Sequence, residues 1–123
     1  MSELILAAVP LGNIGDASER LKAAIISADV IAAEDSRRFL RLCKDLDIEC
    51  RAQVLSFFEG NENERLNEIK EKINSGQSVL LVTDAGMPSV SDPGYRAVRM
   101  ALDNNFPVKV IPGPSAVLAA LAL

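Results

Sequence analysis

Five short apolar runs, each followed by an amphipathic stretch, constrain the fold of this chain more than any other feature of it. The runs are Leu4–Val9, Val30–Ala33, Val54–Phe58, Ser78–Thr83 and Val108–Ile111. The first, Leu4-Ile5-Leu6-Ala7-Ala8-Val9, is continuous rather than alternating in polarity, as expected for a strand covered on both faces. Between the runs, Leu21, Ala24, Ile25 and Ala28 recur at helical spacing. So do Phe39, Leu42, Cys43 and Leu46, and then Leu66, Ile69 and Ile73. Asp16 followed by Glu19 has capping-box spacing and predicts a helix start, with Asp in the place of Ser or Thr. Ser75-Gly76 suits a helix end, and Asp92-Pro93 reads as an N-cap with proline at the first helical position. An Ala/Leu-rich helix follows Ser115. Strands alternating with helices imply right-handed crossovers, hence an α/β fold with a mainly parallel five-stranded sheet flanked by helices. Phe39, Cys43, Met100 and Ala101 fall on apolar faces and are expected in the core.

A chain of 123 residues has room for one such domain, and 49% hydrophobic residues suffice for a core. The formal net charge of −4 argues against a module that holds nucleic acid by an overall basic surface. It leaves open an enzyme acting on RNA. No apolar stretch approaches the roughly 20 residues of a membrane span, and no basic region precedes an apolar one at the N-terminus. Cys43 and Cys50 do not make a disulfide framework, and without histidine no zinc site is expected. These features predict a cytoplasmic protein without a metal.

In a parallel sheet all strands end on one edge, and ligands of open α/β sheets bind outside the carboxyl ends. The loops that gather there are rich in Gly, Pro and Asp, whereas those on the other edge are short and plain. Pro10-Leu11-Gly12-Asn13-Ile14-Gly15-Asp16 places two glycines beside a helix start, yet lacks GxGxxG and the Walker GK[ST]. It reads equally as a tight turn with a cap. Glu34-Asp35 suits a helix N-terminus through the macrodipole, but Arg37-Arg38 does not, and these could meet phosphates. Asp84 to Gly94 exceeds the usual strand-to-helix loop of about 2–6 residues, and its backbone has no ladder to join. Asp92 fits an N-cap; Asp84, a carboxylate at a strand end, has fewer structural excuses. In Pro112-Gly113-Pro114-Ser115-Ala116, Ser115 serves as a cap, as a ligand hydrogen-bond donor, or as both.

Taken together, PLGNIGD, AEDSRR, TDAGMPSVSDPG and PGPSAVLAAL, in this order and spacing, resemble the tetrapyrrole-methylase-like S-adenosylmethionine-dependent methyltransferases. Within that family they are most similar to the bacterial subfamily that 2′-O-methylates a cytidine in small-subunit ribosomal RNA. Ile14, Ser36 and Met87 stand where that subfamily more often has Leu, Thr and Thr.

The resemblance implies two α/β domains with S-adenosylmethionine in the cleft between them, and a homodimer. Residues 1–123 would be the N-terminal domain, with the C-terminal domain outside this chain, which stops within an apolar run at Leu123. Carried over by position, the resemblance implies cofactor contacts from Gly12, Asn13, Met87, Pro88, Val90, Ser115 and Ala116. It places Glu34, Asp35 and Arg37 on the substrate side, with Asp84 and Asp92 as the catalytic acid–base candidates. The implied partners are S-adenosylmethionine and small-subunit ribosomal RNA. Two rivals share the loops: a tetrapyrrole C-methyltransferase of the same family, and a non-enzymatic nucleotide-binding regulatory domain.

Overall fold

The computed structural model describes residues 2–88 and 94–123. Five strands form one sheet: β1 (Leu4–Ala7), β2 (Val30–Ala33), β3 (Gln53–Ser56), β4 (Val79–Val82) and β5 (Val108–Ile111). The order is β3-β2-β4-β1-β5, and every pairing is parallel. Helices α1 (Glu19–Ser27), α2 (Ser36–Asp45), α3 (Glu62–Asn74) and α4 (Gly94–Asp103) connect the strands, and α5 (Ala116–Ala122) follows β5. Among the described residues no helix is long and apolar enough to cross a membrane.

Strand order explains the layering. The chain moves one way along the sheet from β1 through β2 to β3, then reverses to reach β4 and β5. Right-handed crossovers made in opposite directions put their helices on opposite faces. Accordingly α1 and α2 cover one face, where Leu21, Ile25, Phe39 and Cys43 pack on Ile31, Leu80 and Val82. Helices α3 and α4 cover the other, where Ile69, Ile73, Ala97 and Ala101 pack on Leu4, Leu6, Val79 and Leu81. Central strands buried on both sides need continuous apolar runs, and β2 and β4 are buried at every position. Met100 is only partly buried, at the margin of the second cluster.

Two local expectations change. Ser18, not Asp16, caps α1: its Oγ accepts from the Leu21 N–H at 3.0 Å. Asp16 instead closes a 3-10 turn over Ile14–Asp16, its N–H donating to the Asn13 carbonyl at 3.0 Å. The first strand is also shorter than its apolar run. Val9 leaves the parallel ladder and exchanges both backbone hydrogen bonds with Gly86 at 3.0 Å, in an antiparallel bridge. The cap expected at Asp92 lies outside the described residues.

Helix α2 ends in a Schellman turn. The Ile48 N–H reaches the Cys43 carbonyl at 2.9 Å, and Asp47 takes the left-handed conformation at φ 56°. That turn folds the chain back so that Cys50 packs beside the buried Cys43. Burial first, and then the neighbouring Cys50, push the Cys43 thiol up to about 12. Since the thiolate is the reactive species, a disulfide reagent at pH 8 is expected to modify Cys50 and to spare Cys43 until denaturant is added. Equal modification of both without denaturant would show that the inner face of α2 is open.

Candidate active-site edge

The carboxyl ends of β2, β4, β1 and β5 lie side by side, and the crossovers leaving β2 and β4 run to opposite faces. Such a divergence opens a crevice. At the end of β2, Glu34 is exposed, and its Oε1 accepts the Asp84 N–H at 3.1 Å across from β4. Asp35 is the N-cap of α2 and accepts from the N–H groups of Arg37 and Arg38 at 2.9 and 3.3 Å. Arg38 brings its guanidinium to 3.9 Å from the Asp84 carboxylate, whose side chain is 28% exposed. The Asp84 carboxyl is held above the ordinary aspartate range, by partial burial first and then by the Glu34 charge. Arg38 pulls it the other way, and Asp35 contributes in both senses. Three carboxylates and one arginine therefore share the ends of two adjacent strands.

Thr83 shapes the turn beyond β4, its Oγ1 donating to the carbonyls of Ala85 and Gly86 at 3.1 and 3.3 Å. Gly86 then sits at the junction of three loops. A Cβ on it would lie 3.0 Å from Leu11 Cδ2, 3.6 Å from the Pro114 carbonyl and 3.9 Å from the Ala116 nitrogen. Gly113 makes a second close approach, since a Cβ there would lie 2.8 Å from the Ala8 Cβ. Glycine at these two points lets the loops after β1, β4 and β5 touch backbone to backbone.

Two clefts open on either side of that junction. One, of about 420 Å³, has Pro10, Leu11 and Gly12 on one wall and Arg38 and Arg41 on the other, with Asp84 between. The other, of about 390 Å³, is apolar and is lined by Met87, Pro112, Gly113, Ser115, Val117 and Leu118. Both volumes fall within the ~300–1,000 Å³ range of ligand sites.

The residues singled out in the sequence divide between the two clefts. Glu34, Asp35 and Asp84 come together with Arg38, while Arg37 stays exposed and ion-pairs with no described carboxylate. Gly12, at φ 129°, lines the arginine cleft. Asn13 beside it uses its Oδ1 to accept the Gly15 N–H at 2.8 Å. Met87 and Ser115 line the apolar cleft, and Ser115 also caps α5 through the Leu118 N–H at 3.3 Å. Pro88 is buried, and Ala116 opens α5. Val90 and Asp92 lie outside the described residues. Sequence reasoning did not single out Arg41, Thr83, Gly86 or Leu11. Of these only Arg41 carried a signal, as one more cation in the phase of Arg37 along α2.

Comparison with known proteins agrees with the geometry. Residues 3–123 match the family model described as Tetrapyrrole (Corrin/Porphyrin) Methylases. The ribosomal RNA small subunit methyltransferase I of Mycobacterium tuberculosis is 49% identical over 120 residues, covering 98% of this chain and 42% of that protein. Its namesake from Thermotoga maritima is 38% identical over 123 residues, covering 100% of this chain and 54% of the relative. The chain thus spans about half, or less, of the length of these curated relatives. The crystal structure of uroporphyrin-III-C-methyltransferase from Thermus thermophilus superposes with a TM-score of 0.73 over 100% of this chain and 53% of its own, at 16% identity. That identity speaks for the fold alone. With the family model spanning nearly every residue, and the glycine-joined loops at the sheet edge that its four motifs predicted, the chain belongs to the tetrapyrrole (corrin/porphyrin) methylase family.

Proposed function

We propose that this chain is the N-terminal domain of a longer S-adenosylmethionine-dependent enzyme that methylates the ribose 2′-oxygen of a cytidine in small-subunit ribosomal RNA. The observation that carries this reading is the 49% identity, across 98% of the chain, to a protein named ribosomal RNA small subunit methyltransferase I. The likeness to the uroporphyrin enzyme, at 16% identity, gives a tetrapyrrole substrate no comparable support.

The apolar cleft suits the cofactor. Its lining offers Met87 and Val117 to an adenosyl group, and the close packing at Gly113 leaves backbone groups within reach of polar atoms. Met87, Pro88, Ser115 and Ala116 would hold S-adenosylmethionine, which supplies an electrophilic methyl group when bound. Gly12 and Asn13 flank the arginine-lined cleft, so we assign them to the substrate side of the Gly86 junction. There Asp84 would take the proton of the ribose hydroxyl, a role that a carboxyl raised above its ordinary range fills better than an ordinary one. Glu34, by accepting the Asp84 N–H, fixes the turn that presents this carboxylate. Arg38 works against that rise and favours the ionised form of the carboxylate.

The apolar cleft is open to one side. Val117, Leu118 and Leu121 on α5 are 51%, 67% and 76% exposed, an apolar surface suited to cover by a second domain. We take the longer enzyme to be a cytoplasmic homodimer with the cofactor held between its two domains. The reading is tested by incubating that enzyme with methyl-labelled S-adenosylmethionine and small ribosomal subunits lacking the modification. Label recovered as 2′-O-methylcytidine is the expected result. Label entering a uroporphyrinogen but no RNA would overturn the reading in favour of the tetrapyrrole branch.

A further inference from the structure

Helix α2 concentrates positive charge in a chain whose net charge is −4. Its ten residues carry Arg37, Arg38, Arg41 and Lys44 against a single carboxylate, Asp45. Helix α3 is balanced by contrast, with Glu62, Glu64, Glu68 and Glu71 facing Arg65, Lys70 and Lys72. Arg37, Arg41 and Lys44 stand at i, i+4 and i+7, on one face of the helix. All three are exposed, and none forms an ion pair with a described carboxylate.

Helix stability does not account for this arrangement. The macrodipole favours a cation at Lys44 in the last turn but disfavours Arg37 and Arg38 in the first. Like charges spaced i, i+4 and i, i+3 also repel, by a few tenths of a kcal/mol per pair. Solubility is already served by an acidic surface elsewhere. The stripe does have a direction, however. It begins beside the Glu34–Asp84 pair, and Arg41 belongs both to it and to the wall of the 420 Å³ cleft.

We propose that the outer face of α2 docks the phosphate backbone of the RNA substrate, with Arg37, Arg41 and Lys44 contacting phosphates along one strand and leading it into the arginine-lined cleft. The inference rests on the RNA reading of the function and adds to it the surface that binds. Arg37 and Lys44 lie ~10 Å apart along the helix, close to three steps of a nucleic-acid strand at ~3.4 Å rise each, so the three cations cover a run of about four phosphates. Cations without an ion-pair partner among the described residues, on an otherwise acidic domain, allow binding through release of counterions, while the acidic remainder of the surface disfavours non-specific RNA.

The experiment compares wild type, R37Q/R41Q/K44Q and K70Q/K72Q in the longer enzyme. It measures affinity for deproteinised small-subunit RNA over a salt series, and affinity for S-adenosylmethionine by calorimetry. In the stripe variant we expect the slope of log affinity against log salt to fall by about 2, and affinity at low salt to fall about tenfold or more. Cofactor affinity should be unchanged, and the α3 variant should follow wild type. An unaltered slope in an enzyme that does methylate RNA overturns the stripe and leaves the proposed function standing. A wild type that neither binds nor methylates RNA overturns both. Weaker binding of intact subunits with unchanged binding of naked RNA would place an acidic protein on α2, and would likewise overturn the proposal.

Discussion

Asp84→Asn in the longer enzyme is expected to slow methyl transfer by about 10²–10⁴-fold, the usual worth of a positioned general base, while the protein melts no lower than wild type. The two halves of this expectation share one cause. Partial burial and the nearby Glu34 raise the Asp84 carboxyl above its ordinary value, so the folded protein binds that proton more tightly than the unfolded chain does. Between the ordinary value and the raised one, the native state carries more proton, and stability therefore falls as pH rises through that window. Above it the penalty of the ionised carboxylate is fully present; below it the penalty is absent. Asparagine keeps the shape, and its backbone N–H still donates to Glu34. The variant should therefore melt at or slightly above the wild-type temperature at neutral pH. Any such gain should vanish as pH falls into the ordinary carboxylate range. The acid limb of the pH–rate profile should lie above an ordinary aspartate in wild type and be lost in the variant. Methylation by Asp84→Asn at the wild-type rate would remove Asp84 from the chemistry. A melting temperature well below wild type would make it a structural carboxylate instead.

Much of this site could be read from the sequence because strand ends are punctuated locally. Asp84 follows the most apolar strand, and nothing in its local sequence gives a carboxylate there a capping role. Asp35 shows the opposite case: it was legible both as an acidic residue favoured at a helix N-terminus and as a ligand group, and by accepting from the N–H groups of Arg37 and Arg38 it serves as the N-cap of α2. Those bonds do not decide the second. The apolar runs fixed which residues are buried, since a sheet covered on both faces has no use for alternation. Strand order was not legible, because the insertion of β4 between β1 and β2 depends on non-local packing rather than on any signal in either strand. The same limit hid the division into two clefts. Gly12 and Ser115 look alike in sequence, each at a glycine-rich strand end beside a helix start. Only the meeting of Leu11, Gly86 and Pro114 in space sets them on different sides. The start of α1 failed for a local reason. Asp16 has the right spacing to Glu19, but its backbone is committed to the turn at Asn13, and Ser18 stands two residues closer to the helix.

Gly86→Ala is expected to weaken binding of S-adenosylmethionine by about tenfold to a hundredfold, on the scale by which small misplacements at a site act. The substitution combines two effects. Gly86 sits at φ 78°, where an L-residue costs about 1–2 kcal/mol. The new methyl would also lie 3.0 Å from Leu11 Cδ2, on the side of the junction facing the arginine cleft. Leu11 is a side chain and can turn aside, but the Pro114 carbonyl at 3.6 Å is backbone at the entrance to α5. Relief of the strain must therefore shift the turn that carries Met87 or loosen the bridge to Val9, and either displaces the wall of the apolar cleft. Gly76→Ala separates the two effects. Gly76 has φ 94° at the end of α3, and an added Cβ meets nothing within 4 Å. It should lose comparable stability by thermal melting and leave cofactor affinity, measured by calorimetry, unchanged. If both variants bind the cofactor equally well, the three-loop junction does not position it. If only Gly86→Ala fails, the contact between the loops after β1, β4 and β5 is what holds the two clefts in register across the edge of the sheet.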